Sequence, residues 1–468
     1  MTQIGTEQSP LRVAVVGSGP AGFYAAEHLL KEEGRTVEVD MFDRLPTPYG
    51  LVRAGVAPDH PKIKSVIRVY EKTAARPGFH FFGNVDVGTD VTVDELRERY
   101  HAIVFAYGTS IDKHLGIPGE DLPGSHSATE FVNWYNAHPD FTDREFDLSC
   151  DRVVVIGNGN VAADVTRMLA LPRDELEVTD TAEHAIDPLA DCEVKEILVL
   201  GRRGPAQAAF TNPEVRELGE MAEADIVIDP AEMELDELSR RWLDSEDADP
   251  TNRRNVDIFT EFSQREPEGK KKRIVLRFLC SPVEIQGDGK VERIVVARNE
   301  LQEKDGRISA VDTGERETIE CGLVLRSIGY KGVPVEGAPF DEGRGVIPND
   351  AGRVKDDGGE QVPGLYATGW IKRGPSGVIG TNKKDGQETI DSLFEDLEAG
   401  KIPEPELAGD RGSIETLLDE RKPEHVTFEG WQAIDAAEVE RGKPLGRPRV
   451  KFIAVEEMVE ASRSKTVA

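Results

Sequence analysis

LRVAVVGSGPAG, residues 11–22, reads as a strand that runs into a glycine-rich turn and opens a helix. The apolar run 11–16 ends in Gly17, as a strand covered on both faces does. Gly17-Ser18-Gly19-Pro20-Ala21-Gly22 is a complete GxGxxG. Its first glycine permits the tight turn, its second lets a pyrophosphate approach the backbone, and its third allows close helix-to-strand packing. The helix N-terminus offers N–H groups to phosphate. Phe23, Ala26, Leu29 and Leu30 have helical spacing, TVEVDMF (36–42) reads as the next strand, and Asp43 ends it. A carboxylate about 20 residues beyond the motif is placed to bond a ribose diol. A GxGxxG alone is weak evidence; strand, helix and acid together specify a dinucleotide site.

The same design recurs. DRVVVIG (151–157), a helix from about Val161 to Leu171 and EILVLG (196–201) repeat strand, turn, helix and strand. Gly157-Asn158-Gly159-Asn160-Val161-Ala162-Ala163 carries Ala in place of the third glycine, an accepted small-residue variant. The second strand then runs into Gly201-Arg202-Arg203-Gly204, so two guanidiniums stand where an NAD-binding unit places its acid. Arg is a planar fork suited to phosphate, and a 2′-phosphate distinguishes NADP from NAD. The alternative is a pair of solvated arginines at a strand end.

Around these two openings the chain is less explicit. The acidic segment 172–194 reads as a surface excursion. Residues 229–273 are highly charged and end in KKKR, after which RIVLRFLCSPVEIQ (273–286) and KVERIVVARNEL (290–301) alternate like antiparallel strands of a small meander. Flavoproteins commonly carry FAD on the first of two such units, and Gly364-Leu365-Tyr366-Ala367-Thr368-Gly369-Trp370 is a short strand ending in Gly that can return to the first unit and bring N–H groups to a flavin. A Gly-rich turn, 374–380, leads from it into a helix. Residues 1–10 read as a polar tail, and from about 401 the chain reads as surface loops and a terminal helix. The expected fold is α/β with two Rossmann-like dinucleotide-binding domains, the first completed by the C-terminal part of the chain: 1–110 with 328–468 for FAD, and 111–327 for NADPH.

A chain of 468 residues is too long for one ordinary core, which agrees with two domains. The net charge of −31 argues against nucleic acid or an anionic membrane as partner. No apolar run approaches the roughly 18 residues that cross a bilayer, and the start MTQIGTEQSP lacks signal-peptide character, so a cytoplasmic protein is expected. Cys150, Cys192, Cys280 and Cys321 are far apart, with no CxxC and no His at metal-ligand spacing, and read as buried thiols. No metal site is expected.

At PTPYGLVRAGVAPDHPKIK (46–64), GNGNVAADVTR (157–167), GRRGPAQAAFTNPEVREL (201–218) and GWIKRGPSGVIGTNKKD (369–385) the sequence resembles the adrenodoxin-reductase-like ferredoxin–NADP reductases, in particular the actinobacterial type. The motifs recur in order from about residue 11 to 455. The resemblance implies FAD contacts at Gly17, Gly19, Pro20, Ala21, Gly22, Asp43, Leu51, Val85, Trp370, Gly377, Val378 and Ile379. It implies NADPH contacts at Asn158, Gly159, Asn160 and Val161 for the pyrophosphate, and at Arg202 and Arg203 for the 2′-phosphate. Glu214 and Gly377 are expected nearer the nicotinamide, and Lys113 stands where a related type has Arg. Asp43 is a Glu in many relatives, and the shorter carboxylate is expected to loosen the ribose contact. His60 and Glu217 match the pair placed close to the flavin ring, where they are expected to tune it through charge and a proton; a structural ion pair is the other reading.

The implied activity is hydride transfer from NADPH to FAD and single-electron release to ferredoxin or a similar iron–sulfur protein. A thiol–disulfide reductase would need a CxxC beside the flavin. A relay subunit similar to the small subunit of glutamate synthase would carry N-terminal cysteine clusters, and here the first cysteine is Cys150. Candidate docking clusters for an acidic partner are Arg240 with Arg241, Arg253 with Arg254, and Lys270 to Arg273, with Lys372, Arg373, Lys383 and Lys384 as the alternative.

Overall fold

The computed structural model describes residues 4–246, 248–304 and 306–464; the ends of the expected polar tail and of the C-terminal segment lie outside them. The chain forms two compact units. One comprises Met1–Val56, His60–Lys113 and Gly329–Ala468, the other Ala57–Asp59 and His114–Ile328.

In the first unit, Leu11–Val16 pairs in parallel with Val37–Phe42 on one side and Ala102–Phe105 on the other. The helix Pro20–Lys31 makes the first crossover. All six residues of Leu11–Val16 are buried, and alternation sorts them: Leu11, Val13 and Val15 join one apolar cluster, Ala14 and Val16 the other. The sheet has seven strands, with Phe79–Phe82 at one end. On its other side Gln361–Ala367 lies parallel to Ala102–Phe105, so a strand from far downstream completes the first Rossmann-like sheet.

The second unit has a six-stranded parallel sheet in the order Ser125–Ser127, Leu323–Arg326, Arg152–Ile156, Glu196–Leu200, Lys272–Arg277, Ala224–Val227. Here the structure corrects one expectation. The first part of RIVLRFLCSPVEIQ belongs to this parallel sheet, and only Cys280–Gln286, Arg293–Lys304 and Arg307–Glu320 form the antiparallel meander. Alternation in Lys272–Arg277 reports that Ile274 and Leu276 face the core, which carries no information about strand direction.

Two further expectations fail for a common reason. Segment 172–194 is no surface excursion: helices Arg173–Leu176 and Glu183–Ala190 bury Leu176, Ala185 and Leu189 completely in the second core. Among the described residues the tail after 401 holds three α-helices, Ser413–Arg421, Phe428–Gly442 and Val455–Ser462, which bury Ile414, Leu418, Trp431, Ile434 and Met458 in the two clusters of the first unit. In both regions a few apolar residues do the packing among many acids, so composition suggests a surface where spacing supplies a narrow buried stripe.

Candidate functional site

Gly17 has φ +107°, and a Cβ there would lie 2.6 Å from the Cα of Tyr107; one on Gly22 would lie 2.0 Å from the carbonyl oxygen of Gly17. Both contacts are with backbone, so no side chain fits. Gly19 caps the helix and Pro20 occupies its first turn, where a missing N–H costs nothing. A second segment presses on this turn. Tyr49 donates its N–H to the carbonyl of Ser18 (3.0 Å), and a Cβ on Gly50 would sit 2.9 Å from the Cα of Gly19. Tyr49 itself has φ +85°, rare for a non-glycine residue. Its ring meets Trp431 edge-on at 5.5 Å.

Asp43 accepts hydrogen bonds from the N–H and hydroxyl of Ser18 and from the N–H of Leu45 (2.9 Å). Burial pushes its pKa up, and these bonds pull it back. A carboxylate has about four acceptor positions, so the acid expected on a ribose is largely committed to its own turn. Val85 is core: its side chain is buried and its N–H bonds the carbonyl of Asp43 (2.9 Å). Leu51, by contrast, is exposed at the start of the helix Leu51–Ala54.

The downstream strand reaches the same turn. A Cβ on Gly369, φ +75°, would lie 2.5 Å from that of Ala21. Trp370 stacks on Tyr330 with centroids 5.8 Å apart, and its Nε1 donates to the carbonyl of Ser376 (3.1 Å). Gly377 and Val378 are exposed and Ile379 is half-buried. Lys113 is exposed, with its N–H on the carbonyl of Gly329 (3.0 Å).

In the second unit Gly157 has φ +135°, and a Cβ would lie 2.2 Å from the carbonyl oxygen of Ser327. Gly159 caps the helix Asn160–Ala170, whose first N–H groups have no acceptor within the helix. The Asn158 carbonyl accepts from the N–H of Ala209 (2.9 Å) and the Asn160 side chain from that of Thr211 (2.8 Å), which pins the loop from Asn158 to Asn160; Val161 beside it is half-buried. Arg202 is exposed and Arg203 half-buried. Neither pairs with a carboxylate among the described residues, in a chain where most arginines do. Burial and the adjacent Arg202 draw the Arg203 pKa down. Two neighbouring guanidiniums without a counter-ion are a fitting cradle for a phosphate.

Glu214 and Glu217 share one side of the helix Asn212–Leu218. Both face Arg167, a residue the sequence reading left without a role. Arg167 is 2% exposed and meets Asp59 at 2.8 Å, Asp164 at 2.7 Å, Glu214 at 2.6 Å and Glu217 at 3.6 Å. Burial disfavours its charge, but these carboxylates raise its pKa on balance. Its only sequence signal is its place at the end of GNGNVAADVTR, since the partners are distant in the chain. His60, the partner expected for Glu217, belongs to the first unit, where it caps the short helix Pro61–Lys64.

Residues 11–199 match the family model described as pyridine nucleotide-disulphide oxidoreductase. The NADPH-ferredoxin reductase FprA of Mycobacterium leprae is 50% identical over 454 residues, covering 96% of this chain and 97% of the relative. Human mitochondrial NADPH:adrenodoxin oxidoreductase is 43% identical over 465 residues, covering 97% and 92%. The solved structure of Mycobacterium tuberculosis FprA in complex with NADPH superposes with a TM-score of 0.91 at 48% identity, covering 97% of this chain and 100% of that one. The chain belongs to the adrenodoxin-reductase-like family of NADPH-ferredoxin reductases.

Two features of this family member bear on its chemistry. Its four cysteines are free; Cys280 and Cys321 are buried as expected, Cys150 and Cys192 only half-buried, and burial raises the pKa of Cys150, Cys280 and Cys321, the last to about 12, which disfavours the reactive thiolate. The reductase's basic clusters are largely spent within the fold. Lys271 pairs with Glu223, Arg273 with Glu196, Lys270 with Glu268, Arg241 with Glu303 and Arg254 with Asp257. Lys272 is buried and Arg253 bonds the carbonyls of Leu243 and Ser245. Lys372 is buried against Asp385 and Glu388, whereas Lys383 and Lys384 are exposed without an ion pair among the described residues. No helix of the described residues is long and apolar enough to cross a membrane.

Proposed function

We infer that this chain is an FAD-dependent NADPH:ferredoxin oxidoreductase, whose physiological partner is an iron–sulfur protein of ferredoxin type. When bound, FAD supplies the chemistry that converts a two-electron hydride from NADPH into single electrons. The chain's own residues bind, orient and shield. Gly17, Gly19, Pro20, Ala21 and Gly22 would hold the FAD pyrophosphate, with Asp43 bonding the ribose by its remaining acceptor position. Leu51, Val85, Lys113, Trp370, Gly377, Val378 and Ile379 would complete that site, in the unit of Met1–Val56, His60–Lys113 and Gly329–Ala468. Asn158, Gly159, Asn160 and Val161 would take the NADPH pyrophosphate, Arg202 and Arg203 its 2′-phosphate. Glu214 and Gly377 are each assigned to the nicotinamide half. Glu217 and His60 are read as a charge and proton pair beside the reacting rings, since hydride transfer needs no protein base.

The observation that carries this is the repetition of one strand–turn–helix design, the second copy of which ends in two arginines that have no counter-ion among the described residues. Purified chain is expected to be yellow with non-covalent FAD, and to pass electrons from NADPH, in preference to NADH, to an artificial one-electron acceptor without any other subunit. A colourless protein that takes up no flavin on reconstitution would refute it. Turnover only within a larger assembly would favour the relay subunit.

A further inference from the structure

The loop Gly201–Gly204 is held by its carbonyls. Three in succession are engaged: that of Gly201 accepts the N–H of Cys280 (3.0 Å), that of Arg203 the N–H of Leu279 (3.0 Å), and between them that of Arg202 accepts the side-chain amide of Asn299 (2.8 Å). The outer two bonds are backbone ones, from the turn residue Leu279 and from Cys280, where the next strand begins. The middle one needs a side chain. Because a carbonyl only accepts, the amide nitrogen of Asn299 must be the atom that faces Arg202. That nitrogen also lies 2.7 Å from the hydroxyl of Ser281.

The fold is bent to deliver this bond. Leu279 takes φ +55°, a left-handed conformation uncommon for a non-glycine residue, and its carbonyl accepts the backbone N–H of Asn299 (2.7 Å). Asn299 is 4% exposed and stands where the register of the meander shifts, between Ala297 and Asn299. Such a bulge re-aims a side chain. One residue thus grips Leu279 with its backbone and Arg202 with its side chain.

The electrostatic consequence follows from the peptide dipole. A carbonyl oxygen is the negative end of its group, and one that turned toward a phosphate would oppose the guanidiniums beside it. The bond from Asn299 fixes the direction of that oxygen and offsets part of its negative end. We propose that Asn299 is a positioning residue for NADPH selectivity, holding the Arg202 peptide so that the arginine loop presents only positive groups to a 2′-phosphate. This rests on reading Arg202 and Arg203 as the 2′-phosphate contacts.

Calorimetry with adenosine 2′,5′-bisphosphate and with AMP tests the proposal directly on the FAD-loaded protein. Asn299→Ala and Asn299→Ser should each weaken the bisphosphate about three- to tenfold, as for one lost hydrogen bond with an orphaned partner. AMP binding and FAD content should stay within about twofold, and the KM for NADPH should rise while that for NADH holds. Equal weakening of both nucleotides, or of neither, overturns it, because a merely structural role would not separate them. Both variants keep the backbone bond to Leu279, and Ser, which adds a small polar side chain at this buried position, serves where Ala fails to fold. Arg202→Ala and Arg203→Ala run alongside: if they collapse selectivity and the Asn299 variants do not, this inference alone fails. If the arginine variants leave selectivity intact, the reading beneath it fails.

Discussion

Arg53 and Glu438 meet in the interior of the first unit, the arginine 9% and the glutamate 0% exposed. The guanidinium donates to both carboxylate oxygens, lies 5.2 Å from the ring centre of Trp431, and the N–H of Phe452 adds a further bond to Glu438 (3.0 Å). The pair ties the helix Leu51–Ala54, in the candidate flavin site, to the helix Phe428–Gly442. Burial alone would raise the Glu438 pKa, but Arg53, Arg449 and that N–H outweigh it and hold the pKa below the ordinary glutamate value. A depressed acid stabilises the fold fully above its unfolded value, about 4.3, and loses that contribution as pH falls through the lower folded value. Glu438→Gln leaves the guanidinium buried without its counter-ion and should cost about 3–5 kcal/mol. Urea unfolding measures this at neutral pH, and the gap to the parent protein should narrow below about pH 4. A cost under about 1 kcal/mol would mean that Arg53 finds another partner.

At the scale of elements, each glycine turn makes a separable prediction. Gly157→Ala forces a Cβ into the carbonyl of Ser327 at a φ of +135°, and Gly50→Ala forces one against Gly19 at +48°. Strain of about 1–3 kcal/mol at either site corresponds to about five- to a hundredfold in local affinity. The first variant should weaken NADPH and retain FAD; the second should shed FAD, seen as released flavin fluorescence. If both lose both cofactors, the turns are coupled through the fold and do not act locally. The turns Gly17–Gly22 and Gly157–Ala163 were legible because their constraints are local: strand, glycine, helix and spacing lie within a dozen residues. The partners of Arg167 and Asn299 were not, since Glu214 and Arg202 come from other parts of the chain and only folding brings them together. Strand direction at Lys272–Arg277 was hidden because alternation reports a buried face. The C-terminal helices were hidden because acids outnumber the few residues, Trp431 and Ile434 among them, that enter the core.

For the whole molecule the ruling quantity is a net charge of −31, which opposes long-range approach of an acidic iron–sulfur protein. Docking must therefore use a local excess of positive charge. The run Lys270–Arg273, the most basic stretch in the sequence, supplies little, because Lys271 and Arg273 are paired with Glu223 and Glu196 and Lys272 is buried. Lys383 and Lys384, at the start of the helix Thr381–Glu398, are exposed without an ion pair among the described residues, close in sequence to the exposed Gly377–Val378 segment. Reversing both to Glu should raise the KM for ferredoxin about three- to tenfold, the range for a few exposed charge pairs, and leave the KM for NADPH unchanged. Reversing Lys271 and Arg273 should leave both constants within about twofold. Salt separates the two fields: at physiological ionic strength the Debye length is about 8 Å, so distant acids are screened while contacts at a local patch persist. The rate of ferredoxin reduction should hold or rise as salt is added from very low concentration, then fall as the local pairs weaken. The Lys383→Glu, Lys384→Glu protein should lose that falling limb. A rate that falls from the first addition of salt would mean that the partner meets a broad positive field, which the charge of this chain does not provide.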